Sequence, residues 1–390
     1  MADYVTNNAQ QASLLREVTP SYGCLTTFAR RTLLELQASP TGAIREKARH
    51  SAQRSIRSSC SLLPHRSQLP KVRMQLSSNG KSLETGPAEF GELRDDAISL
   101  LGDVEALRDR IKEDGYLLFR GLLDREAVLT ARREIMLKFA VVGEIDSVNH
   151  SAMEGIQSED SYIDQVNLFA FTESVRSGLA YERMVHDPAL MKFFEGFLGG
   201  PVRTFDFRWP RFMRPGEATG IHCDGPYITR GTKNVWSAWI PIGDVTMEEG
   251  ALVVLENSHK NDRLRESYGT RDADEEGIGW LSTDPVGLRR RLGGRWLSTD
   301  FKAGDVIVFG PYLVHASLDN NSPVRRCRLS SDTRYLLVGD ELDERWNGNI
   351  ENPHGGKPRV FLPGRGRGNN KDFADEWKEV DDRGRLVIAS

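Results

Sequence analysis

From Val202 onward the chain breaks into short runs rich in β-branched and aromatic residues: "VRTFDFRWPRFM", "TGIHCDGPY", "VWSAWIPIGD", "GALVVLENSH", "RWLSTDF", "GDVIVFGPYLVHASLD" and "RRCRLSSDTRYLLV". Gly, Pro, Asn and Asp separate them. No run is long enough for a helix, and such spacing is the signature of an antiparallel sandwich or barrel. A helical stretch precedes these runs. "LRDDAISLLGDVEALRDRIKEDG" places Leu and Ile at helical spacing and stops at Gly115, and "YLLF" reads as a strand. "REAVLTARREIMLKFAVVG" follows with Asp124 as N-cap, and "MVHDPALMKFFEGFLGG" starts at Asp187 and Pro188 and closes on two glycines. The fold expected is mainly β with flanking helices around a jelly-roll core.

Composition narrows the partners. With 39% hydrophobic and 28% charged residues and a net charge of -4, the chain has no global attraction for nucleic acid or anionic lipid, so a small-molecule partner is expected. No apolar run approaches the length of a membrane span, and no compact secretory signal opens the chain, so an intracellular, cytoplasmic location is expected. The four cysteines, Cys24, Cys60, Cys223 and Cys327, lack C-x-x-C spacing. Oligomeric state is not readable from these features.

Three segments follow. Residues 1–75 are rich in Arg and Ser and poor in acids, as in an organellar transit peptide, a disordered extension or an over-extended start ahead of Met74. Residues 90–345 form the expected domain. Residues 346–390, rich in Gly, Pro, Arg and Asn, read as an irregular tail. "RDADEEG" and "GLRRRLGGRW" lie in a long insertion between strands and read as solvated loop or helix.

Within this framework "IHCDGPY" stands out. In a strand, His222 and Asp224 share one face. His315 ends an apolar run further on. Two histidines and one carboxylate with open positions left over form the facial triad that holds non-haem Fe(II). Oxygen activation also needs a two-electron donor, and a dicarboxylate donor needs a cation for its far end. Arg326 lies eleven residues past His315, beyond the turn "DNNSP". On a returning strand its fork would meet a carboxylate, with Ser317 on the face of His315 as a second donor. Arg328 has the parity of Arg326, so alternation leaves both open, while Arg325 points the other way.

The stretch from "DGYLLFRGLL" through "SSDTRY" resembles the phytanoyl-CoA dioxygenase family of Fe(II)- and 2-oxoglutarate-dependent oxygenases: an H-x-D, sequence like "GDVTMEEGALVVLENSHK", a distal His, and an Arg eleven residues later. The resemblance implies a double-stranded β-helix of cupin type. It assigns iron to His222, Asp224 and His315, 2-oxoglutarate to Arg326 with Ser317, and a place near the cosubstrate to Trp239 in "VWSAWIPIGD". Gln165 and Asn167, in "IDQVNLF", are further candidates for the cosubstrate's near carboxylate. The reaction implied consumes O2, releases succinate and CO2, and hydroxylates or otherwise oxidises a small organic molecule. Related halogenases have a small residue in place of the carboxylate, so Asp224 argues for hydroxylation, while desaturation, ring formation and epimerisation use the same ligands.

Two other readings stand beside it: a non-catalytic cupin-like sensor, and a zinc or manganese hydrolase or isomerase. Tyr227, Arg230, Arg208 and Arg211 flank the H-x-D segment as candidates for the substrate pocket or for structural roles. His259 is expected to fix a turn, and Cys223, between two ligands, to face away into packing.

Overall fold

The computed structural model describes residues 75–348 together with Phe373. The 1–75 extension and nearly all of the 346–390 tail therefore lie outside the described residues.

A two-residue hairpin opens the described chain, β1 (Ser77–Ser78) and β2 (Lys81–Ser82). Its turn residues Asn79 and Gly80 both have positive φ, 55° and 73°, the backbone that a tight right-twisted hairpin requires. After β3 (Phe90–Glu92), helix α1 (Val104–Asp114) starts where the Asp103 side chain accepts from Ala106 N, and it stops at Gly115 with φ 84°. Strand β4 (Tyr116–Phe119) leads to α2 (Arg125–Val141), capped by Asp124. Helices α3 (Leu168–Arg176), α4 (Leu179–Val185) and α5 (Pro188–Leu198) complete the helical half. Asp187 caps α5 and Pro188 fills its first position.

The β half holds β5 (Val202–Thr204), β6 (Trp209–Met213), the one-turn α6 (Gly225–Ile228), β7 (Trp236–Pro241) and β8 (Leu252–Leu255). The insertion supplies α7 (Asp262–Glu266) and α8 (Pro285–Leu292) before β9 (Trp296–Ser298), β10 (Val306–Phe309), β11 (His315–Ser317) and β12 (Arg328–Leu337). One sheet runs β4-β10-β7-β12-β5, with β6 also paired to β12; the other runs β11-β8-β9-β3. All pairs are antiparallel except β3–β9. Two facing antiparallel sheets with helices outside make the jelly roll that the strand pattern predicts.

Alternation along the strands separates the layers. Ala238 and Ile240 of β7, with Val306 and Val308 of β10, join the cluster formed with α2 and α5. Trp239, Ile307 and Phe309 point the other way, into the space between the sheets, with Leu252 and Val254 of β8. The outer face of the second sheet, Val253, Leu255 and Trp296, is covered by Leu264, Tyr268, Leu281 and Leu288 of the insertion. Of the two charged stretches read as solvated loop or helix, "GLRRRLGGRW" carries most of α8 and "RDADEEG" is mostly exposed, while the apolar residues around them pack as a layer.

Two expected strands differ. "VRTFDFRWPRFM" is broken into β5 and β6, and "TGIHCDGPY" contributes only isolated bridges at Ile221 and His222 before α6 begins. Packing also extends past the 90–345 span at both ends. Ser78 Oγ donates to Ser317 O at 2.8 Å, and Trp346 is buried against Phe207 and Trp209. None of the helices among the described residues is long and apolar enough to cross a membrane.

Candidate active site

His315 is the first residue of β11, and it exchanges both backbone hydrogen bonds with His222: His222 N donates to His315 O at 3.0 Å and His315 N to His222 O at 2.8 Å. The two rings consequently lie 4.3 Å apart, centroid to centroid. Asp224 does not arrive by strand alternation. The extended segment ends after His222, and Asp224 has helical dihedrals, φ -73° and ψ -20°, at the start of α6. Gly225 permits that bend, since a Cβ there would sit 2.8 Å from Gly269 O of the insertion. The i, i+2 spacing read the convergence correctly but for the wrong backbone.

All three side chains are buried, and one ligating atom from each lies within 4.8 Å of the others. Asp224 Oδ1 is 3.7 Å from His222 Nε2 and 3.8 Å from His315 Nε2. Each imidazole is oriented from behind: His222 Nδ1 bonds Gly220 O at 2.8 Å and His315 Nδ1 bonds Leu313 O at 3.0 Å. A carbonyl can only accept, so both rings carry their proton on Nδ1 and offer the Nε2 lone pair inward, the arrangement of metal-binding histidines.

The electrostatics agree with ligand duty. Burial, then neighbouring His315, pushes the His222 imidazole down to about 3, which keeps it neutral and able to donate its lone pair. Burial would raise the Asp224 carboxyl, but Arg334 first, then the two histidines and the Ser237 hydroxyl, hold it below the usual carboxylate range. Ser237 Oγ donates to Asp224 Oδ2, and Arg334 Nη2 stands 3.0 Å from the same oxygen. The donor set, two imidazole nitrogens and one carboxylate oxygen, is one that fits Fe(II).

The arginine expected at position 326 is placed elsewhere. β11 and β12 belong to different sheets, so the return strand faces His315 across the barrel rather than lying beside it. Arg325 has φ 58° and the turn runs on to Cys327, so Arg326 lies outside β12, paired at 2.9 Å with Glu249 and donating to Glu154 O. Arg328 takes the inward position as the first residue of β12, buried with its guanidinium 5.9 Å from the Trp239 ring. Its nitrogens bond Gly250 O, Ser330 Oγ and Met213 Sδ, with no carboxylate, and burial pushes its guanidinium down to about 10. Ser317 Oγ lies 3.8 Å from the same Met213 sulfur, so Ser317 and Arg328 meet at Met213 and, with Trp239 beside Arg328, form one buried group. Gln165 is not brought to it: the residue stands exposed on the short turn Ile163–Gln165, and Asn167 is spent capping α3.

Of the flanking candidates, Arg211 pairs with the buried Asp332 on the inner face of β6 and β12 and keeps a quarter of its side chain exposed. Arg208 pairs with Glu182, Arg230 pairs with Asp272 and Glu344, and Tyr227 donates to Gly279 O at 2.7 Å with its ring edge-on to His222. His259 Nε2 bonds Lys112 O at 3.0 Å, fixing its turn, and Cys223 packs under the insertion. Ser237 and Arg334 were missed. The one available signal was parity, since Arg334 sits six residues after Arg328 on the same strand face.

The family model for phytanoyl-CoA dioxygenase (PhyH) matches residues 111–327, more than half of the chain. A 1-deoxypentalenic acid 11-beta-hydroxylase of Streptomyces arenae is 30% identical over 249 residues, covering 61% of this chain and 83% of the relative. The enzyme of the same name from Streptomyces exfoliatus is 29% identical with the same coverage. Among solved structures, the epimerase SnoN in complex with Fe3+, alpha ketoglutarate and nogalamycin RO is similar at 17% identity and a TM-score of 0.43, covering 74% of this chain and 96% of that one.

Proposed function

Because the chain belongs to the phytanoyl-CoA dioxygenase family of Fe(II)- and 2-oxoglutarate-dependent oxygenases, we propose that His222, Asp224 and His315 hold the iron and that Arg328, Ser317 and Trp239 hold the cosubstrate. The observation that carries this is the convergence of Nε2, Nε2 and Oδ1 in a buried cluster whose imidazoles are locked by backbone carbonyls. Bound iron supplies oxygen activation coupled to oxidative decarboxylation of 2-oxoglutarate, giving succinate and CO2.

The chain's own residues then have distinct tasks. His222, Asp224 and His315 would hold the iron through three protein atoms, a set that leaves room for a cosubstrate. Arg328, without a carboxylate of its own, supplies the fork for the far carboxylate, and the Ser317 hydroxyl adds a donor. Trp239, itself buried, lies beside the Arg328 guanidinium and would shield it from water. Hydroxylation of a C–H bond in a small organic substrate, the reaction in the names of the relatives, is the reaction proposed.

Anaerobic loading with Fe(II), then 2-oxoglutarate, then air tests the reading. A weak visible charge-transfer band that decays as succinate appears, and that is absent in His315→Ala, is the expected outcome. Metal bound at the triad with neither band nor succinate would overturn it in favour of a sensor or hydrolase.

A further inference from the structure

Among the described residues, Arg334 is a buried charge that its neighbours only partly satisfy. Its side chain is 4% exposed, its Nη2 is 3.0 Å from Asp224 Oδ2, and its Nε and Nη1 have no hydrogen-bond partner. Burying a guanidinium costs several kcal/mol unless its donors are paired, and an apolar side chain of similar size commonly serves a fold better. Here the ion pair made is with a proposed iron ligand.

The surrounding rung is built for that contact. Arg334 of β12 lies directly opposite Ser237 of β7 in the strand register, and these cross-strand partners direct both their polar groups at the same oxygen of Asp224. From β6, the Trp209 ring lies 4.7 Å from the guanidinium carbon and forms a flat support on which a planar cation stacks well. Phe207 and Trp346 pack against Trp209 in turn, so the support is itself fixed.

Asp224 therefore has two unlike oxygens. Oδ2 is occupied by a hydroxyl donor and a cation, while Oδ1 faces both imidazole Nε2 atoms at nearly equal distances, 3.7 and 3.8 Å. Resting on the proposed iron site, we infer that Arg334 is a positioning residue which, with Ser237, holds Asp224 to coordination through Oδ1 alone. A carboxylate free to turn would bind through both oxygens and take a position that the cosubstrate or oxygen needs, since three protein atoms and a bidentate keto acid leave one site of six.

Co(II) titration of the apo protein, followed by its visible d–d bands, tests this without turnover. Arg334→Met is expected to lose about 10–100-fold in Co(II) affinity, the range for removing a group that orients a ligand, with bands shifted by the changed coordination. Arg334→Lys, which keeps a cation near Oδ2, recovers part of both. Ser237→Ala, a small change that spares the fold, shifts the bands the same way with a smaller loss, and the double variant loses less than the product of the two because both act on one oxygen. Wild-type affinity and bands in Arg334→Met, or a double variant in which the two losses multiply fully, would overturn the inference. Co(II) binding that survives His222→Ala unchanged would instead remove the iron site on which it rests.

Discussion

Two arginines are almost fully buried near α6, and they are buried differently. Every nitrogen of Arg345 is partnered: Nε and Nη2 on Asp343 at 2.9 and 2.6 Å, Nη1 on Pro226 O and Asp274 at 3.3 Å. Arg334 keeps two nitrogens without a hydrogen bond and stands against a carboxylate whose other oxygen faces two histidines. The first arrangement closes on itself, as a structural network must when the medium around it is apolar. The second is directed at something else. A buried charge cluster that leaves atoms facing one another is thus a pointer to a ligand, whereas one that satisfies itself is a pointer to the fold.

That contrast can be broken in stages. The largest effect is expected at the triad: His222→Ala, Asp224→Ala and His315→Ala should each abolish 2-oxoglutarate-dependent succinate release, while thermal denaturation still shows a cooperative transition. Arg345→Met should do the reverse. Leaving buried carboxylates unpaired costs about 3–5 kcal/mol, read as a lower denaturant midpoint, with the Co(II) affinity of the remaining folded protein unchanged. If Arg345→Met altered the Co(II) bands, the separation of the two networks would be lost.

Arg328→Ala should raise the 2-oxoglutarate KM roughly tenfold to a hundredfold, the worth of hydrogen bonds to a charged group. Arg326→Ala should move it by less than a factor of about five, because a half-exposed ion pair contributes about 1 kcal/mol or less and not to this ligand. The opposite result would return the cosubstrate to Arg326. A smaller effect separates the networks by pH. Burial pushes the Asp272 carboxyl up, but the hydrogen bond from Arg230 prevails and holds it down at about 2. With its folded value below the ordinary carboxylate value of about 4, Asp272 contributes stability above about pH 4 and loses it as pH falls towards 2. Urea midpoints of the wild type and Asp272→Asn should therefore converge as the pH is lowered through that window.

The proposed iron ligands were legible because their signal is local or repeated: an H-x-D between turn residues, and a histidine at the end of an apolar strand. The proposed cosubstrate arginine was legible only to within two residues. Parity gives Arg326 and Arg328 the same face, and the choice depends on where the turn ends, which the left-handed Arg325 and the bridge between Ile156 and Arg326 set. Gln165 failed for a related reason: an amide near a helix start has many possible partners, and its placement is settled by long-range packing.

What the chain determined by itself was therefore its alternation, its caps and its stops: strands that send Trp239 inward and Ala238 outward, Asp124 and Asp187 starting helices, Gly115 ending one. These are interactions across a few residues, and composition and spacing encode them. The tertiary structure alone decided that β11 and β12 lie in opposite sheets, that Asp224 turns out of the strand, and that Ser237 and Arg334 meet on one oxygen. The last of these brings Arg334 to Ser237 and Asp224 from about a hundred residues along the chain, where closing the loop carries no local signature and only the packed sheets fix which side chains face each other.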